Sequence, residues 1–219
     1  MLLIAGAHEL LPPGAAPGSA EKAQAMARVF ALMGYDLGLL APQEAAMLDQ
    51  AGANPGDAFA SPDGVEMTTL ALDDGRTAGV VLFPPPPPGE NASSSEMIQA
   101  VDRAVQELAQ NSDLTLGVSQ WGYFNERTYL KQAQSPVDIL LGSGPGLALS
   151  GKIAAQGRCL WVRPYSRGKS MMKIEVFRWP KRGGFQWTKE SVRATSVPLD
   201  ATVRQDPEAA SILADTPQQ

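Results

Sequence analysis

Histidine and cysteine are almost absent from this chain of 219 residues, with His8 and Cys159 the sole examples. One cysteine excludes an internal disulfide and says little about compartment. One histidine severely limits any transition-metal site, because imidazole is the usual neutral ligand. No apolar run approaches the length of a membrane span. The apolar start, Leu2 to Ala5, has no basic region before it and is too short and too uncharged for a signal peptide. An excess of positive charge is missing too. The net charge of -5 argues against binding a phosphate backbone as the main activity. The chain is therefore expected in the cytoplasm as numbered, or in the periplasm if an upstream signal segment has been removed.

What is present fits a folded, soluble protein. Apolar residues make up 44%, with charges of both signs scattered among them. Leu2 to Ala5 reads as a buried strand stopped by Gly6, and Pro12 to Gly18 as a loop. Ser19 is placed to cap a helix carrying Ala23, Met26, Ala27, Phe30 and Met33 at helical spacing and ended by Gly34. Ala45 to Ala51 reads as a helix closed by Gly52, and Asn54 to Gly64 as a polar loop. Val65 to Leu72 and Arg76 to Phe83 are strand candidates joined by Asp73-Asp74-Gly75, a hairpin signal. Pro84 to Pro88 predict a stiff polyproline or turn segment. Ser93 to Ser95 cap a helix whose apolar positions are Met97, Ile98, Val101, Val105 and Leu108. A strand over Asp113 to Ser119 and a helix over Asn125 to Gln134 follow. Further on come a turn over Ile153 to Gly157, strands over Arg158 to Val162 and Met171 to Phe177, a hairpin over Trp179 to Trp187, and a closing helix over Ala209 to Ala214.

The stretch Val137 to Gly146, V-D-I-L-L-G-S-G-P-G, delivers a buried strand into a tight loop. Such a loop lets a backbone approach closely or cradles an anion on its N–H groups, and it cannot bind a metal through side chains. It resembles the last metal-binding motif, Gly-Gly-His-x-His, of the calcineurin-like metallophosphoesterases in their 5'-nucleotidase branch. Gly144 and Gly146 stand where that motif has its histidines. Tyr35 to Glu44, Y-D-L-G-L-L-A-P-Q-E, resembles the family's G-Y-D-A-V-A-L-G-N-H-E, with Tyr35, Asp36 and Glu44 matching. Pro42 and Gln43 there replace the Asn ligand and the catalytic His. Ala7 takes the place of the metal-bridging Asp, and Gln120 that of a metal-binding His at the end of the strand from Asp113. Tyr165 to Lys169, Val197 to Asp200 and Asp206 to Ala214 echo later segments. The resemblance covers nearly all of the chain. The family's first strand, with its Asp-x-His, would lie before Met1, and its separate nucleoside-binding domain after Gln219.

The resemblance implies an α/β fold, a metallophosphoesterase-like sandwich of two mixed β-sheets flanked by helices and lacking the usual first strand. One domain would span 1–219, with a main body over 1–180 and a C-terminal hairpin and closing helix over 181–219. In the family two metals clamp the phosphate and generate the attacking hydroxide. With Ala7, Pro42, Gln43, Gln120, Gly144 and Gly146 at the metal-site positions, the implied protein is catalytically silent, without cofactor or metal. It would act as a binding or structural subunit, with a protein partner or a second copy and no nucleic acid. An apolar edge strand at Leu2 to Ala5 would call for such cover. One alternative is an active metal-dependent phosphoesterase or nucleotidase holding its metal on Asp36, Glu44, Asp138 and His8. Another is a small-anion or nucleotide binder using Gly142, Ser143 and Gly144 with Arg167 and Lys169. Arg163 belongs to the same basic group, whose long side chains are usually just solvated. A Ser-His-Asp site through His8 lacks a nucleophile elbow. Trp121 reads as core and Cys159 as a buried inert thiol.

Overall fold

A computed structural model of the chain describes residues 1–87, 94–165, 168–180 and 184–215. A short strand, β1 (Ile4–Ala5), leads into helix α1 (Ala20–Met33). Ser19 caps α1 by accepting the Lys22 N–H, and Gly34 ends it in the left-handed conformation that glycine adopts without strain. Next come β2 (Leu37–Leu39), α2 (Pro42–Ala51) and β3 (Phe59–Ala60). Strands β1, β2 and β3 pair in that order, all parallel.

The main sheet begins with β4 (Glu66–Ala71) and β5 (Thr77–Leu82), the hairpin signalled by Asp73-Asp74-Gly75. Helix α3 (Ser95–Asn111) starts where the Ser94 hydroxyl accepts the Met97 N–H. After it come β6 (Leu114–Ser119), α4 (Gly122–Gln132), β7 (Ile139–Gly142), β8 (Leu149–Ala154) and β9 (Cys159–Arg163). The six strands lie in the order β4-β5-β6-β7-β9-β8. The four inner ones are parallel, and the two edges are antiparallel. A separate antiparallel pair, β10 (Ser170–Val176) and β11 (Val192–Pro198), and helix α5 (Pro207–Ala214) follow.

Burial assigns the layers. One face of the six-stranded sheet packs through Val81, Phe83, Leu140 and Trp161 on α3 and α4, by way of Ile98, Val101, Tyr129 and Leu130. Its other face, with Val80, Leu116, Ile139 and Leu160, meets Leu37 and Leu39 of β2 as well as Met172, Ile174 and Val176 of β10. Helices α1 and α2 cover the far side of the small parallel sheet, and α5 packs on α1 through Ile212. The architecture is thus an α/β sandwich whose second layer is divided into two sheets, one purely parallel and one purely antiparallel, where one mixed sheet was expected.

Several elements differ from the sequence reading, each for a local reason. Helix α4 starts at Gly122, three residues before Asn125, because the Gly122 and Tyr123 N–H groups donate to the Ser143 and Pro145 carbonyls. Residues 149–154 form edge strand β8; a kinked turn over Ala155–Gly157 follows it. No strand forms over 184–187: Trp187 is buried and its indole donates to the Asp138 carbonyl, while β11 takes the place beside β10. Strand β3 falls inside the stretch read as a loop. Ser94 is the observed cap of α3; Pro88 and Ser93 lie outside the described residues, as do 181–183.

Candidate functional site

All the parallel strands run towards one edge of the molecule, and in open α/β sheets ligands sit outside the carboxyl ends of such strands. Here those ends are tied together. The Ser143 hydroxyl, just past β7, donates to the Ser119 carbonyl at the end of β6 (2.7 Å) and accepts the Ala7 N–H past β1 (3.2 Å). His8 follows at φ 71°, half-buried, and its Nε2 is 3.5 Å from where a Gly144 side chain would begin. The crevice therefore gathers Ala7, His8, Gln120, Ser143 and Gly144. Burial holds the His8 imidazole below its usual range, with Arg163 adding to the shift and Glu44 opposing it.

Glu44 anchors the side nearest α2. It is fully buried, and its two oxygens accept four backbone N–H groups: His8 (2.8 Å) and Ala41 (2.8 Å) on Oε2, Leu10 (2.8 Å) and Leu11 (3.1 Å) on Oε1. Ala41 has no side-chain acceptor with which to cap α2, so the glutamate at the third helical position does so from within, behind Pro42 in the first turn. The same carboxylate folds the segment 8–11 across the crevice. Pro42 and Gln43 are exposed beside it.

The opposite side is built on Arg163, at the end of β9. It is buried, and its guanidinium makes four hydrogen bonds, all to carbonyls of the loop after β7. Nε donates to the Leu147 carbonyl (3.0 Å), Nη1 to Ser143 (3.0 Å), and Nη2 to Gly144 (2.8 Å) and Pro145 (3.2 Å). Nη1 also lies 2.5 Å from Oε1 of Glu126 on α4, whose Oε2 accepts the Trp161 indole N–H (2.8 Å). Burial pushes the Glu126 carboxyl up to about 7 against the pull of Arg163 and the Trp161 indole.

The glycines of the loop follow from this arrangement. A side chain at Gly142 would begin 2.1 Å from a Glu126 oxygen. Gly144 has φ 79° and 2.9 Å to the Gln120 carbonyl; Gly146 has φ 120° and 2.4 Å to Tyr123 Cβ. Neither position takes a larger residue without moving its neighbours. The loop turns four carbonyls to Arg163 and two of these to the first turn of α4, so its polar character is mainly that of acceptors.

The remaining sequence candidates are scattered. Gln120 is buried, with its amide 3.4 Å from the Phe83 carbonyl. Lys169 is exposed, and Arg167 lies outside the described residues. Arg163, read as one of a solvated basic group, is instead interior, bonded to four carbonyls and ion-paired with Glu126. Asp36 accepts the Leu3 N–H at the amino end of the small parallel sheet, and Asp138 binds Thr115 at the amino end of β7. They are not brought to His8 and Glu44, so that alternative donor set does not form. Among the described residues no group of three or more His, Cys, Asp or Glu side chains could hold a metal ion. The sequence reading missed the Glu126–Arg163 pair. The signal for it was phase: Arg163 shares a strand face with Trp161, and Glu126 a helix stripe with Tyr129, Leu130 and Ala133.

No protein-family model matches the chain, and no curated protein matches it. Among solved structures it is similar to a 5'-nucleotidase from Candida albicans SC5314, with TM-score 0.52 and 12% identity over 92% of this chain. The chain spans 44% of the length of that nucleotidase. The likeness is one of fold. Among the described residues no helix is long and apolar enough to cross a membrane.

Two measurements test the site. Glu44→Gln presents an amide N–H₂ to two of the four backbone donors, and should lower unfolding free energy by at least about 2 kcal/mol in urea titrations. The second concerns pH. The folded-state pKa of Glu126 is raised, so the folded chain holds this proton longer than the unfolded chain. Its contribution is therefore full below about 4.5 and is lost as pH rises through about 7. Stability against pH should slope downward over that window in the native chain, and by less in Glu126→Gln.

Proposed function

We propose that this chain is a catalytically silent protein of the 5'-nucleotidase-like phosphoesterase fold, acting as a binding or structural subunit. The observation that carries the reading is the geometry at Gly144 and Gly146. Both have positive φ, and both face an atom closer than a side chain tolerates. The sequence resemblance puts metal-binding histidines at these two positions, and the loop has no room for them. The other metal-site positions support the same reading. Ala7 and Pro42 offer no side-chain donor atom, the Gln120 amide is at the Phe83 carbonyl, and Glu44 is spent on four N–H groups. These residues do not fit a metal pair, and without one the attacking hydroxide and the phosphate clamp have no source.

A binding role draws support from the small parallel sheet. Strand β1 stands at its end with β2 as its one strand partner among the described residues, so its outer edge can accept an added strand. Leu2 and Ile4 are partly buried against the shared core at this edge. In this reading the occupant is an extended segment from a protein partner or a second copy.

The catalytic half is tested by elemental analysis after dialysis against trace manganese and zinc, alongside hydrolysis of nucleoside monophosphates and phenyl phosphate. Less than a tenth of an ion per chain, to order of magnitude, and turnover equal to buffer are expected. A stoichiometric metal with turnover that follows it would overturn the reading. The binding half is tested by light scattering after size exclusion, with hydrogen exchange on residues 2–5. The expected result is self-association, or unprotected β1 amides that become protected when a partner is added. A monomer with those amides already protected would refute it.

A further inference from the structure

Between the segment 10–18 and the helices α1 and α2 lies a cavity of about 160 Å³. Leu10 and Leu11 line it from the segment, Ala23 and Met26 from α1, and Met47 from α2. Among the described residues Lys22 is the one charged side chain that lines it, and every other lining residue is apolar or glycine. The walls are set in advance. Glu44 holds the Leu10 and Leu11 N–H groups, the Ala15 N–H donates to the Pro12 carbonyl (3.0 Å), and Pro12, Pro13 and Pro17 stiffen the crossing segment. Lys22 is exposed and enters no ion pair among the described residues. Its stem crosses Gly18, with Cδ 3.2 Å from where a side chain there would begin, which keeps the ammonium by the mouth. The adjacent carboxylate, Glu21, is occupied with its own N–H and the Ser19 hydroxyl.

We infer that this cavity binds a small carboxylic acid with an apolar tail, an aromatic acid or a short fatty acid, its tail among Leu11, Met26 and Met47 and its carboxylate at the Lys22 ammonium. Size sets the tail. An apolar cavity of about 150 Å³ admits a benzene ring, so the volume here takes one ring or a short chain and leaves the head group outside. Water inside would find almost no hydrogen-bond partner, which makes filling by an apolar group favourable. The two thioethers let the wall adapt to a flat or a linear tail. Charge sets the head: a carboxylate meets the unpaired Lys22, and an ammonium is repelled by it. Because the walls are already fixed, binding costs little ordering of the protein. The cavity shares no lining residue with the crevice at the strand ends and stands independently of the proposal made for it.

The test is a ¹H–¹⁵N NMR titration of the full chain with benzoate and hexanoate. Benzyl alcohol and benzylamine serve as controls for the head group, and acetate for the tail. At least one of the two acids should give saturable shifts centred on Leu11, Lys22, Ala23 and Met26, and should bind more tightly than all three controls. Lys22→Ala keeps the backbone N–H that Ser19 accepts, so the start of α1 survives. It should weaken binding of the acid about 2- to 5-fold, the worth of an exposed ion pair, and leave the response to benzyl alcohol where it was. No saturable shift with either acid would overturn the inference. Benzyl alcohol or benzylamine binding as tightly as benzoate would overturn it too, since the head group would then select nothing. Acetate binding as tightly as hexanoate would show an ion at Lys22 without use of the cavity, and would equally refute it.

Discussion

A guanidinium carries five N–H donors and never gives up its proton, so burying one is tolerable only when most donors meet acceptors and the charge is paired. Arg163 is buried, and the segments around it are arranged to that end. The loop after β7 turns the carbonyls of Ser143, Gly144, Pro145 and Leu147 inward. That orientation goes with the positive φ of Gly144 and Gly146 and leaves no volume for a side chain at Gly142. Glu126 balances the charge from α4, and its second oxygen fixes the Trp161 indole. One ion therefore sets the loop conformation, the position of α4 and the packing of β9.

Much of the frame was legible because it rests on local chemistry. The Asp73-Asp74-Gly75 hairpin, the Ser19 and Gly34 ends of α1 and the apolar stripe of α3 are each set by residues within a few positions of one another. What escaped depended on distant partners. Helix α4 gained its first turn from carbonyls more than twenty residues away, at Ser143 and Pro145. Trp187 left its expected hairpin for the Asp138 carbonyl. Strand β8, with Gly151 at φ 115° against Ala194, has a weak apolar pattern and is fixed by its neighbours.

The site was half legible, for the same reason. The sequence pointed to Ala7, Gln120, Ser143 and Gly144 as separate strand ends, and parallel topology brings them to one crevice. It gave no notice that Glu44 would fold residues 8–11 over that crevice, since the four N–H groups come from two separate segments. It misassigned Arg163 because a basic residue at a strand end is ordinarily solvated. The partner that internalises it, Glu126, lies 37 positions earlier on a helix, beyond any local pattern.

The two glycines also bear on how freely this sequence can vary. At Gly144 an added side chain begins 2.9 Å from the Gln120 carbonyl, and at Gly146 it begins 2.4 Å from Tyr123, both in a backbone region that L-residues rarely adopt. A single replacement at either position can therefore install a metal-coordinating group only if segment 120–123 shifts with it. That segment begins α4, which is itself tied to the loop and to Arg163. The glycines and the buried Arg163 therefore go together: a side chain at either glycine strains the same loop whose carbonyls hold the guanidinium.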